Sequence, residues 1–184
     1  MKKTQEVITF KPKDITKRLL AVLSERAQDV LSKRYGLGKS SLCLTLEAIG
    51  SEYGITRERV RQIENFSLTA IKKSAAFTAI APAVAELKTI MEAHGGIVHE
   101  EEFLNAIAVD KNIQNHIHFL LVLADAFTKL KEDDEFHHRW TTDTRHAEKV
   151  SESLRRMFKT LSLDDVIGEK ELLDAYSSEI KNIL

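Results

Sequence analysis

The chain holds a single cysteine, Cys43, in 184 residues, so it forms no internal disulfide and has no cysteine pair of the kind that grips zinc. Cys43 stands between Leu42 and Leu44, a setting that predicts a packed, unreactive thiol. Long apolar runs are missing too. The longest, Phe119-Leu-Leu-Val-Leu-Ala124, is far below the ~20 residues of a membrane span, and the polar start Met1-Lys-Lys-Thr-Gln-Glu6 lacks the apolar centre of a secretion signal. A cytoplasmic chain without membrane contact is expected. The constellations of catalysis are also absent. Gly36-Leu-Gly38-Lys-Ser-Ser41 lacks the upstream glycine and the spacing of a phosphate loop, and there is no His-Glu-x-x-His run. All seven histidines lie between His94 and His146, but His137 and His138, read as strand neighbours, point to opposite faces. Neither an enzyme, nor a metal site, nor a cofactor is expected.

Net charge is minus one and says little, whereas its distribution says more. Residues 1–80 carry 15 Lys/Arg against 8 Asp/Glu, a net of plus seven; residues 81–184 carry 12 against 20, a net of minus eight. The first part has the cations that neutralise nucleic-acid phosphates, and the second would be repelled by them. Two parts with different partners are implied, the acidic one binding protein.

What is present, and most informative, is the stretch from Thr45 to Glu64. Leu46, Ile49 and Tyr53 recur at three- and four-residue steps and share one face of a short helix, with Glu47, Ser51 and Glu52 opposite. Gly54 ends that helix, because glycine accepts the left-handed backbone of a sharp turn, and Thr56 follows as the N-cap of a second helix. The second helix starts at about Arg57; Ile55 before it and Val60 and Ile63 within it pack inward, which leaves Arg57, Glu58, Arg61 and Gln62 on the exposed side of the first two turns. Those are the turns a helix-turn-helix inserts into the major groove. The residue types suit the position: arginine bonds guanine O6 and N7 bidentately, glutamine pairs with adenine, and glutamate accepts from cytosine N4.

This arrangement resembles region 4 of the sigma-70 factors, the promoter-specificity subunits of bacterial RNA polymerase. The resemblance covers about residues 14–73 and extends upstream to Leu23-Ser-Glu-Arg-Ala-Gln-Asp-Val-Leu-Ser-Lys-Arg-Tyr-Gly-Leu37, similar to the preceding helix of that region. It implies base contacts from Arg57, Glu58, Arg61 and Gln62 to a minus-35-like element. It also implies approaches to the DNA backbone by Arg26, Arg34 and Thr45, with Thr56 and Arg59 at the start of the second helix expected to join them. Double-stranded promoter DNA and the RNA polymerase core are the implied partners. Two departures stand out. After Glu64 the helix runs Asn65-Phe-Ser-Leu-Thr-Ala-Ile-Lys-Lys73, with fewer cations than the family carries, and nothing resembles the region that melts the minus-10 element. A protein-interaction module that does not read bases is therefore the rival expectation, with Phe66 as a contact.

The expected fold is mainly α: a sigma region 4-like domain over 1–80, a winged-helix-like domain over 81–144 and a C-terminal helical segment over 145–184. Pro82 starts a helix marked by Val84, Leu87, Ile90 and Met91. Ile97-Val98 is a short strand, Glu100-Glu-Glu102 opens the next helix, and Ile113, Ile117, Leu120, Leu121 and Ala124 face inward from a third. Phe127–Lys131 and Phe136–Thr141 alternate as two strands around the acidic tip Glu132–Glu135. The third helix, which would enter a groove, offers Asn112, Gln114, Asn115, His116 and His118 with only Lys111 as a cation, so a protein-binding or architectural role is expected there. Val150, Leu154, Met157, Phe158 and Leu161 predict a further helix, and Glu169–Tyr176 another.

Overall fold

A computed structural model describes residues 8–161 and 167–181; the polar start read above and part of the C-terminal segment fall outside these residues. The chain is mainly helical with one small antiparallel sheet. The order is α1 (Pro12–Leu20), α2 (Glu25–Tyr35), α3 (Leu46–Tyr53), α4 (Arg57–Lys72), α5 (Ala75–Thr78), α6 (Ala81–Ala93), β1 (Ile97–His99), α7 (Glu100–Ile107), α8 (Lys111–Leu123), β2 (Thr128–Leu130), β3 (Arg139–Thr141), α9 (Thr144–Lys159) and α10 (Glu169–Lys181). No described helix is long and apolar enough to cross a membrane.

Local signals set most boundaries. The hydroxyls of Thr45 and Thr56 accept from the amides of Ala48 and Arg59 at 3.1 and 3.2 Å, capping α3 and α4. Gly54 closes α3 in the left-handed region at φ 63°, and Pro82 lies in the first turn of α6. Asp110 and Asp143 cap α8 and α9 with their carboxylates.

The sheet has the order β1-β3-β2, with β3 antiparallel to both neighbours. Val98 and Lys129 flank Trp140 across the ladder. The last strand is shorter than the alternation predicts, starting at Arg139 rather than Phe136. As a result His137 and His138 do not take opposite faces. Both reach Glu132: His138 Nδ1 accepts from the Glu132 amide at 2.8 Å, and His137 Nδ1 lies 3.3 Å from Glu132 Oε1. The acidic tip does not project freely. Asp133 Oδ1 accepts from the amides of Glu135 and Phe136, Arg155 of α9 pairs with Glu135, and the Arg139 guanidinium lies 4.0 Å over the Phe136 ring.

Two apolar cores hold the molecule. A small one joins Val30, Ile49 and Val60 of α2, α3 and α4, with Leu44, Leu46, Tyr53, Ile55 and Ile63 around it. The main core draws on both sides of Ile80, combining Ile15, Leu19, Leu31 and Ile71 with Leu87, Met91, Phe103, Ile117, Leu120 and Trp140. Helix α8 lies at its centre. Its polar residues Gln114, Asn115 and His116 are buried, because α1 and the 36–41 loop cover the face that a groove-entering helix needs free, while Gln114 Nε2 donates to Asn105 Oδ1 of α7 and to the Ala108 carbonyl. Asn115 Nδ2 donates to the carbonyls of Gly36 at 3.0 Å and Ser41 at 2.9 Å, and Asn112 Nδ2 to that of Gly38 at 2.7 Å. Rings continue the contact, with Phe119 edge-on to Tyr35 at 5.0 Å.

Cys43 corrects its sequence reading: it is exposed. In the irregular chain before α3 it is Leu44 that turns toward the small core, so its neighbours Leu42 and Cys43 are left outside.

Candidate nucleic-acid interface

The interface is built on a crossing of α3 and α4 that glycine makes possible. A Cβ on Gly50 would stand 2.6 Å from the Ile55 carbonyl oxygen, so the turn closes only around a bare backbone. The Ile55 amide donates to the Gly50 carbonyl at 2.9 Å, and Val60, fully buried between Val30 and Ile49, fixes the roll of α4. That roll leaves Arg57, Glu58, Arg59, Arg61 and Gln62 exposed together on the first two turns.

Glu58 and Arg61 face each other as a two-bond pair, Nε to Oε2 at 2.9 Å and Nη2 to Oε1 at 2.7 Å. The Arg61 guanidinium holds the Glu58 carboxyl below the usual carboxylate range, so both are charged at neutral pH. Exposed pairs of this kind contribute little, so exchanging one partner for a base edge is not opposed by the fold. Arg59 Nη1 donates to Gln62 Oε1 at 3.0 Å. These residues form one strip of donors and acceptors in the side-chain chemistry that reads major-groove edges.

The residues expected at the DNA backbone are not alike in setting. Thr45 and Thr56 sit at the starts of α3 and α4 as caps. Arg59 is exposed, and the Arg26 guanidinium lies 5.1 Å above the Tyr53 ring at the surface. Arg34 turns inward instead: Nη1 donates to the Leu44 carbonyl at 3.2 Å, and Nε lies 3.5 Å from the buried Glu64. Glu64 also accepts from the Tyr35 hydroxyl at 2.8 Å. Burial pushes that hydroxyl's pKa up, reinforced by the Glu64 charge.

Two features escaped the reading of residues. Lys33 ties α2 to α3 through Glu52 at 2.6 Å while pairing with Asp29 of its own helix at 2.9 Å, and the Tyr53 hydroxyl of α3 reaches Asp29; the i,i+4 spacing of Asp29 and Lys33 was the available signal. The second is a groove of about 760 Å³ between the start of α2 and α4, lined by Val22, Ala27, Ile63, Phe66 and Ala70 among others. Phe66 is 76% exposed at its edge, an apolar surface beside the polar strip. Phe66 itself was expected as a protein contact; the groove around it was not.

Among the described residues no three His, Cys, Asp or Glu gather as a metal site.

Comparison with known proteins places this geometry. The family described as Sigma-70, region 4 matches residues 19–73. The chain is 37% identical over 73 residues to the RNA polymerase principal sigma factor HrdD of Streptomyces viridifaciens, covering 39% of this chain and 21% of that protein. It is 46% identical over 54 residues to the RNA polymerase sigma factor SigA1 of Synechococcus elongatus, covering 29% and 13%, and 39% identical over 62 residues to the sigma factor sigA of Arabidopsis thaliana, covering 34% and 12%. The chain thus spans about a fifth or less of the length of these relatives. With the capped turn, the glycine crossing and the exposed strip all inside the matched segment, residues 19–73 are a sigma-70 region 4 domain.

Proposed function

We propose that this chain is a sequence-reading DNA-binding protein of transcription, which places α4 in the major groove of a minus-35-like promoter element and contacts the RNA polymerase core through a separate surface. The observation that carries it is the strip of Arg57, Glu58, Arg61 and Gln62, all exposed on the first two turns of a helix whose roll is set by buried Val60. Arg61 and Arg57 are the reading arginines, with Glu58 and Gln62 beside them. Arg26, Arg59 and the caps Thr45 and Thr56 approach the phosphates; Arg34 does so less, since Glu64 and the Leu44 carbonyl already engage it. The groove beside Phe66 is the apolar surface for the polymerase. The relatives are RNA polymerase sigma factors by name, which supports the same partner.

Residues 81–144 are read as a winged-helix-like module that binds protein or braces the first, not as a second DNA reader. Burial of the α8 polar face and the acidic tip held on α9 support this, since both would have to meet phosphates in a groove-docked wing. The division at Ile80, with residues 145–184 as a helical extension, belongs to this reading.

The test is salt-dependent binding to a duplex bearing a minus-35-like hexamer and to its scramble, with Arg57→Ala/Arg61→Ala beside the unaltered chain. A preference for the hexamer on the order of 10- to 100-fold, lost in the double variant at unchanged melting temperature, is expected. Weak binding that ignores both sequence and variant would instead favour a module that occupies a promoter-recognition position without reading bases.

A further inference from the structure

Thr16 Oγ1 on α1 and His116 Nδ1 on α8 are buried and have no hydrogen-bond partner. Unpaired buried polar atoms are rare, and each calls for an explanation. Thr16 is fully buried and His116 is 6% exposed, and both line one cleft of about 610 Å³ enclosed by α1, the 36–41 loop and the start of α8. Coincidence of two orphaned groups in one cavity points to something that cavity receives.

Its electrostatics say what kind. Lys13, Lys17 and Lys39 line the cleft against one carboxylate, Asp110. Asp110 is already engaged, since it caps α8 through the Asn112 amide at 2.7 Å and lies 3.9 Å from Lys13 Nζ. The side chains of Lys17 and Lys39 have no such partner among the described residues. The cleft is therefore positive and acid-poor. It is also built: Asn115 clamps the loop from outside through the Gly36 and Ser41 carbonyls, Ser41 is held in the left-handed region at φ 54°, and Leu20 and Leu37 add an apolar wall. A volume of this size falls within the range of small-molecule sites, which combine such walls with a few convergent polar groups.

We propose that this cleft binds a small phosphorylated molecule of nucleotide size, its phosphate held by Lys17, Lys39 and the Thr16 hydroxyl, with His116 Nδ1 bonding a further polar group and Leu20 and Leu37 against its apolar part. Phosphate oxygens are acceptors for all of these donors. No residue of the α4 strip lines the cleft. The ligand bridges elements from both sides of Ile80, and bound there it stabilises the junction between the basic and acidic parts by mass action.

The full chain is titrated calorimetrically with AMP, ATP, inorganic phosphate and adenosine, while the His116 ring is followed by 15N NMR. The expected result is saturable binding of AMP or ATP, competition by inorganic phosphate, no binding of adenosine, and a shifted His116 Nδ1 resonance. In Lys17→Glu/Lys39→Glu, whose changes lie at exposed positions and whose folding is checked by circular dichroism, affinity falls at least tenfold. Thr16→Val, which keeps the shape and removes the hydroxyl, weakens binding in the same direction. Absence of binding at millimolar nucleotide, an equal response to adenosine, or undiminished affinity in the lysine variant overturns the proposal. It also falls if the lysine variant loses duplex DNA affinity while no nucleotide binds, which would make these lysines backbone anchors.

Discussion

Asn115→Ala removes the buried side chain that clamps both ends of the 36–41 loop onto α8. Its amide makes two hydrogen bonds, 3.0 Å to Gly36 and 2.9 Å to Ser41, at a position only 6% exposed. A typical internal hydrogen bond contributes about 1 kcal/mol, and leaving a buried acceptor unpaired adds to the loss, so the substitution is expected to cost about 2–3 kcal/mol. In a chain of this length that lowers the melting temperature by about 4–12 °C. Asn112→Ala is the graded control: it deletes a single bond of 2.7 Å at the surface and is expected to cost less than about 1 kcal/mol. Because the main core crosses Ile80, unfolding in Asn115→Ala should remain one transition by both tryptophan fluorescence, from Trp140, and circular dichroism. A shift of under about 1 °C, or equal effects from the two asparagines, would refute the assignment of the clamp.

Gly50→Ala places a Cβ 2.6 Å from a backbone oxygen and is expected to destabilise by roughly 1–3 kcal/mol and to weaken duplex binding, read by melting and fluorescence anisotropy. Cys43, exposed, should release one equivalent of thionitrobenzoate from Ellman's reagent without denaturant; a reaction that waits for guanidinium contradicts its placement. Stability should fall as pH drops below about 6.5. Burial pushes both His116 and His118 below the ordinary histidine range, with Lys13 adding to the first, while the Glu100 carboxylate opposes the effect at the second and Lys129, Lys111 and Arg34 add to it. The unfolded chain then takes up protons before the folded one does. Urea midpoints between pH 7.5 and 5.5 test this, and His118→Gln should flatten the curve; a midpoint that rises on acidification would show the sign to be wrong.

The region 4 domain was legible in the sequence because its signals are local. Thr45 and Thr56 cap the helices that follow them, Gly54 takes the turn, and the alternation of Leu46, Ile49, Val60 and Ile63 with Arg57, Glu58, Arg61 and Gln62 assigns inside and outside within twenty residues. The order of elements after Ile80 followed from the same periodicities. Strand length was less legible, since pairing to β1 ends β3 at Arg139 while the alternation continues to Phe136. Cys43 was misread because one apolar neighbour, Leu44, turns inward and the other, Leu42, does not.

Sequence alone determined which residues of α4 stand exposed on its first two turns and which half of the chain carries the positive charge, since capping, turn chemistry and helical spacing act over a few residues. Only the tertiary structure decided the fate of α8. Asn112, Gln114, Asn115 and His116 read as a solvent face by their polarity, yet the fold buries or half-buries them, since loop carbonyls 74 and 79 residues away take up the Asn115 amide. No local pattern announces a partner at that separation, and the same packing creates the cleft in which Thr16 and His116 stand unpaired.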